Sequence, residues 1–247
     1  MKKNTYLTLL GMLICMSVNA QGIMVTYKTE PKMESIDISV DNPAIAEAIR
    51  SQMAAGMTTI RYLLYNNGES IYRSKVNSTD EAMPEQASSG ITIVVVNNDN
   101  SLYKNQKENR QVAQEYIMDK AFLITEKLND FGWVLSNEKK EVAGYSCNKA
   151  ISKDGNVTAW YCAAIPVNDG PYVYWGLPGV ILQVETAAQL ITATEVNRAT
   201  SMEQIQVPTS GKKVAREEFE KTREKKMKEM SEISGGGSDV KIDIIKP

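Results

Sequence analysis

From Thr58 to Asn197, short runs of β-branched and aromatic residues alternate with turn-forming residues, and this period of two limits the fold more than any other feature. Residues two apart share one face of a strand, so each run buries one face and the runs must assemble into a sheet. Thr58–Tyr65 and Ser70–Val76 flank Asn66-Asn67-Gly68-Glu69, which suits a tight hairpin turn. Asn77–Gly90 is polar, contains Pro84 and reads as an exposed loop, whereas Ile91–Val96 is apolar enough for a buried strand. Strands are expected near Ser101–Gln106, Arg110–Met118 and Lys120–Leu128, although the mixed periodicity of Gln111–Asp130 also admits a helix. The pattern resumes in Gly132–Asn137, Glu141–Ser152 and Asn156–Val167 and ends with the pair Val180–Thr186 and Leu190–Asn197. Ahead of it, Gly22–Lys28 reads as an opening strand. Asp41-Asn42-Pro43 with Ile45, Ala48, Ile49 and Met53 predicts a narrow-faced amphipathic helix over Pro43–Met57.

The two ends differ from this body. Lys2 and Lys3, the apolar stretch Tyr6–Val18 and the small residues before Gln21 make residues 1–20 read as a signal peptide. Cys15 follows the bulky Ile14, a poor context for lipid attachment. No later segment approaches the roughly 20 apolar residues of a membrane-spanning helix. Residues 21–210 are expected to form one β-rich domain. Residues 211–247 form a charged helical tail, with the linker Ser234-Gly-Gly-Gly-Ser238 and a short terminal strand near Val240–Ile245. Without residues 1–20 the chain carries 26 basic and 30 acidic side chains, a net −4, so there is no cationic surplus for nucleic acid. The sequence contains no histidine, which excludes Ser-His-Asp and Cys-His catalysis and the histidine-based zinc hydrolase motifs. No residue pattern calls for a metal or a cofactor.

Two cysteines remain after residue 20, and a turn relates them. If Asp154-Gly155 closes a two-residue hairpin, residues whose numbers sum to 309 face each other, and Cys147 and Cys162 are such a pair. That loop puts them at a hydrogen-bonded site, while a longer Lys153–Asn156 loop reverses the parity and brings the side chains closer. A disulfide and two half-buried free thiols both satisfy this placement.

Gly170-Pro171-Tyr172-Val173-Tyr174-Trp175-Gly176-Leu177-Pro178-Gly179-Val180-Ile181 reads as a rigid corner leading into a strand. Pro171 and Pro178 bar ladder hydrogen bonds, and Gly176 and Gly179 allow backbone angles or approaches closed to other residues. Tyr172, Tyr174 and Trp175 form either an aromatic rim for a ligand or a packed corner. This segment resembles the signature of the GLPGLI family, exported proteins of Gram-negative bacteria without an established activity, with Val180 where the name-giving motif has leucine. Trp133, Gly144–Ala150, Ala159-Trp160-Tyr161 and Ile165-Pro166-Val167 agree with it in order. The Gly-Tyr-x-Cys-x-Lys hairpin followed by Ala-Trp-Tyr also resembles lipoprotein-carrier-type half-barrels. That likeness implies an α+β fold in which a curved antiparallel sheet packs on the amphipathic helix.

The expected function is non-enzymatic: a periplasmic or outer-membrane-associated binding or accessory protein for a hydrophobic ligand, a peptide or an envelope protein. An assembly component of an envelope transport or secretion machine is the second expectation, and a histidine-independent hydrolase a minor third.

Overall fold

The computed structural model describes residues 22–32, 36–39, 43–74, 100–198, 205–234 and 241–244. In chain order the elements are β1 (Ile23–Pro31), β2 (Ile36–Ser39), α1 (Pro43–Met57), β3 (Thr59–Asn66), β4 (Glu69–Ser74), β5 (Ser101–Asn105), β6 (Arg110–Ile117), β7 (Lys120–Lys127) and β8 (Val134–Val142). They continue with β9 (Tyr145–Ile151), β10 (Thr158–Cys162), β11 (Val180–Glu185), β12 (Gln189–Arg198), β13 (Lys212–Val214), α2 (Arg216–Ser234) and β14 (Lys241–Ile244). The signal-peptide reading of 1–20, the loop at Asn77–Gly90 and the strand at Ile91–Val96 lie outside the described residues.

Among the described residues, twelve strands form one open sheet in the order β13-β7-β6-β5-β4-β3-β1-β12-β11-β10-β9-β8, while β2 and β14 pair separately. The large sheet consists of two antiparallel runs, β3 to β7 and β8 to β12, held together by the first strand. Tyr27 on β1 lies opposite Arg61 on β3 and opposite Ala193 on β12. β1 can occupy this central place because Val25 and Tyr27 are fully buried and tolerate neighbours on both sides. Where the sequence left Gln111–Asp130 open, the structure has β6 and β7. Ile117 pairs with Lys120 across Met118-Asp119, with Met118 at φ 58°. Asn67 and Gly68 both take positive φ, 51° and 86°, as a primed hairpin turn requires.

The expected α+β class is overturned. The chain is mostly β, and its sheet is mixed, because β13 pairs with β7 in parallel. Nor does α1 carry the sheet. Its Ile49 and Met53 are buried, but among the described residues its principal neighbours are β1 and β2. An alanine-rich stripe offers too little apolar area to cover a sheet this wide. The inner face is filled instead by Val167, Tyr174 and Leu177 from the segment between β10 and β11, and by Phe219 of α2. They pack with Tyr27, Leu63, Tyr72, Leu102 and Ile124 in one core. On the opposite face, Ile205 packs against two smaller clusters, Tyr62-Leu64-Ile71 and Tyr103-Val112-Leu123.

The charged segment is likewise no free tail. Phe219 is 1% exposed and meets Phe122 edge-on, with ring centroids 5.5 Å apart. Arg216 donates to Glu115 Oε1 at 2.6 Å and to Glu126 Oε2 at 2.9 Å, fixing the start of α2 on β6 and β7. Phe219→Ala should therefore destabilise the fold by about 3–5 kcal/mol, as for other core phenylalanines, and Met227→Ala, at a site 62% exposed, by less than about 0.5 kcal/mol. Urea denaturation of both variants checks this; equal effects would show that α2 is not anchored through Phe219.

Candidate functional site

The segment from Ala163 to Gly179 is a corner folded back onto the inner face. Gly179 sits where a Cβ atom would lie 2.2 Å from the carbonyl oxygen of Cys162, so only glycine lets the chain turn into β11. Val180 N–H then donates to Ile165 O at 3.0 Å, and Ile181 N–H to Asp169 O at 2.9 Å. A buried ion pair pins the corner to β5. Lys104 and Asp169 are in direct contact with both side chains fully buried. The same ammonium donates to Gly170 O at 2.8 Å, and Asp169 Oδ1 accepts the Gly170 N–H at 2.7 Å. Asp169 Oδ2 is buried without a partner among the described residues. Burial lowers the pKa of Lys104, opposed by the charge of Asp169 and its hydrogen bond.

The three aromatic residues expected as a rim do not act together. Tyr174 is buried and packs against Phe131 with centroids 5.3 Å apart. Trp175 ties down the corner, its indole N–H donating to Asn129 O at 2.7 Å while its carbonyl accepts from the Trp133 indole at 2.8 Å. Gly176 has φ 91°, Leu177 is 1% exposed, and Pro178 faces solvent. Tyr172 alone turns the other way, at φ 49°, and lines a pocket of about 320 Å³.

That pocket is the candidate site. Its apolar wall comes from Met57, Leu102, Ala113 and Ile191, its polar wall from Thr29, Thr59, Asn100, Ser101 and Gln189, and its charges from Arg61, Glu115 and Arg223. β12 and β6 are five strands apart, about 24 Å across a flat sheet at ~4.8 Å per strand. Both reach the same pocket, so the sheet curls around it. Arg61 Nη1 donates to Asn100 O at 3.1 Å, and its guanidinium lies 5.9 Å from the centre of the Tyr72 ring. The Tyr72 hydroxyl is buried beside Thr29 without a hydrogen bond of normal geometry. Burial raises the pKa of Tyr72, and Arg61 partly offsets the rise. Tyr172 is 36% exposed, yet its hydroxyl lies among packed atoms; burial pushes it up to about 12, with the charge of Glu115 adding to the rise. Both phenols therefore stay protonated at neutral pH. Glu115, engaged by Arg216, is held as a counter-ion. The arrangement supplies one cation without an ion-pair partner among the described residues, Arg61, together with hydroxyl donors and apolar walls, which suits holding a ligand.

The cysteines lie elsewhere, between β9 and β10. The expected register is present: Ile151, Ala150, Lys149 and Asn148 pair with Thr158, Ala159, Trp160 and Tyr161, each pair summing to 309. The loop, however, is Lys153–Asn156, closed by a bond from Ser152 N–H to Val157 O at 2.9 Å. Counting from that bond puts Cys147 and Cys162 at a non-hydrogen-bonded position. No bridge joins them; both are free and fully buried, not half-buried. The ladder ends at Asn148–Tyr161, and Cys162 already begins the next turn by accepting from Ile165 N–H at 3.2 Å. Burial pushes the Cys147 thiol up to about 11, and neighbouring Cys162 adds to the rise. Iodoacetamide should leave both unlabelled in the native protein and should label both after unfolding without reductant. If labelling needed a reductant first, the thiols would be bridged.

A family model described as a protein of unknown function (Porph_ging) matches residues 103–183, about a third of the chain, from within β5 into β11. That span holds the cysteine hairpin and the corner. No curated protein matches the chain. Among solved structures, PNGF-II in its P21 and C2 crystal forms is similar, at 13% and 12% identity and a TM-score of 0.54 for both. Each match covers 84% of this chain, but only 34% and 33% of the PNGF-II chains, so this protein spans about a third of their length. At that identity the likeness is one of fold alone.

Sequence reasoning missed Arg61, Tyr72, Lys104 and Asp169. A lysine within Ser101–Gln106 and an aspartate next to a Gly-Pro corner are unusual company, but nothing local states that the two meet.

Proposed function

We propose that this protein is a non-enzymatic binding module of the cell envelope, of the GLPGLI type, that holds a small ligand or a peptide end in the pocket beneath Tyr172. The observation that carries the reading is the make-up of that pocket: aliphatic and aromatic walls, protonated phenols and two arginines, of which Arg223 is paired with Glu220, with the pocket's carboxylate engaged by Arg216. The corner and Phe219 fill the remainder of the inner face, so the ligand is small. Residues 1–20 support export, and the corner sequence supports the family assignment. Native mass spectrometry of the mature protein from its own host tests this. A ligand lost on Tyr172→Ala is the expected result; a bare mass, with no small molecule or peptide bound in a ligand screen, would remove the reading.

An assembly role has its own support in β8, which has no second neighbour in the sheet among the described residues and where Val134 and Leu135 are 61% and 55% exposed. Unpaired edges recruit further strands. Deleting Lys212–Pro247 does not isolate that role, because it removes Phe219 from the core. Leu135→Lys does: loss of in-cell cross-links with pocket binding intact would favour assembly.

A further inference from the structure

We propose that the pocket receives a terminal carboxylate carried on a small apolar group, with the Arg61 guanidinium and the Tyr72 hydroxyl as its receptors. This rests on the binding reading above and adds the chemical class of the ligand.

Charge comes first. Three charged side chains line the pocket, and two are already engaged: Glu115 by Arg216 at 2.6 Å, a guanidinium shared with Glu126, and Arg223 by Glu220 at 2.6 Å. Arg61 has no carboxylate partner among the described residues, so it is the lining charge left open to a ligand. Arg61 is half-buried, and a partly desolvated cation attracts an anion more strongly than a fully exposed one, because less water screens it.

Hydrogen bonding comes second and is independent of charge. Tyr72 is 2% exposed, yet its hydroxyl, beside Thr29, makes no hydrogen bond of normal geometry among the described residues, although buried polar groups are nearly always satisfied. A ligand oxygen in the pocket would complete it. Arg61 is poised beside it. Its bond to Asn100 O fixes the guanidinium plane, and its remaining donors make no bond among the described residues. A planar fork with free donors matches the two oxygens of a carboxylate.

The walls define the remainder of the ligand. Met57, Leu102 and Ile191 offer apolar contact, and about 320 Å³ sits at the small end of ligand pockets. A phosphate dianion fits poorly, since it would meet one free cation with the Glu115 carboxylate in the same wall. A monoanion matches the single guanidinium that lacks a carboxylate partner. A short fatty acid and the C-terminal residue of a peptide share this chemistry.

Isothermal titration of the mature protein with octanoate and with N-acetyl-Ala-Leu separates these sources, with octanamide and N-acetyl-Ala-Leu-amide as uncharged counterparts. One of the acids should bind at least 10-fold more tightly than its amide. Arg61→Gln should weaken that acid at least 10-fold, Arg61→Lys should fall between, and Tyr72→Phe, which keeps the ring and hence the core, should weaken it about 5-fold. Unchanged melting temperatures show that the variants fold. Equal binding of acid and amide, or an Arg61→Gln variant with wild-type affinity, would overturn the carboxylate assignment and leave the binding module standing. If neither acid binds at millimolar concentration the assignment fails, and the native mass of the same preparation, bare or laden, decides the binding reading separately.

Discussion

Asp169→Ala should lower stability by about 3–5 kcal/mol, because it leaves the Lys104 ammonium fully buried without a counter-charge. For a domain of this size that loss corresponds to roughly 6–20 °C in melting temperature. Lys104→Met should cost a similar amount from the other side, since Asp169 would keep only its bond from Gly170 N–H. The double variant Lys104→Met/Asp169→Leu removes both charges and should recover most of the loss, as apolar replacements of buried ion pairs often do. Thermal or urea denaturation of the two single variants and the double variant closes the cycle. Additive losses would show that the two side chains do not act as a pair. The pair also carries backbone: Lys104 holds Gly170 O, and Asp169 accepts from the Gly170 amide. Losing it should loosen the corner before the remainder of the sheet, seen as faster hydrogen exchange at Ile181 than at Val25.

The second large effect is expected at Gly179. An alanine Cβ there would stand 2.2 Å from Cys162 O, 2.6 Å from Cys162 C and 2.8 Å from Ala163 Cα, all of them backbone atoms. No rotamer relieves such a contact. Either the corner moves off the sheet or β10 shifts, and both break the bond from Val180 N–H to Ile165 O. Gly179→Ala should therefore cost about 3 kcal/mol or more, at or beyond the upper end for overpacking. Gly144→Ala serves as the comparison. Nothing lies within 4 Å of its added methyl group, and the loss should stay near 1 kcal/mol, the strain of an L-residue at φ 79°. Chemical denaturation of both variants checks the ranking; a Gly179 variant no worse than the Gly144 one would mean that the corner adapts freely.

The candidate site was only partly legible before the structure. Pro171, Gly176, Pro178 and Gly179 announced a rigid corner through their own backbone restrictions. The division of labour among the aromatics was not readable, because Tyr172, Tyr174 and Trp175 look alike in sequence while the positive φ of Tyr172 sends it to a different surface. Arg61 and Tyr72 passed as ordinary strand residues. They matter through a missing partner, and a missing partner is a property of neighbours.

The sequence by itself determined most of the described strands, many of their turns and the register of the hairpin between Tyr145 and Cys162, since period, turn chemistry and residue counting are local; it missed β2, β13 and the Ala143-Gly144 turn that splits Glu141–Ser152. It did not determine which strands lie side by side. A period of two says which side chains share a face; it says nothing of what covers that face. Hence β1 at the centre between β3 and β12, the parallel β13 and the corner in place of α1 against the inner face belong to the tertiary structure alone. So do Lys104 meeting Asp169 and Arg61 lining one pocket with Tyr172. Each joins residues more than sixty positions apart, where packing and burial of the whole molecule, not local preference, set the outcome.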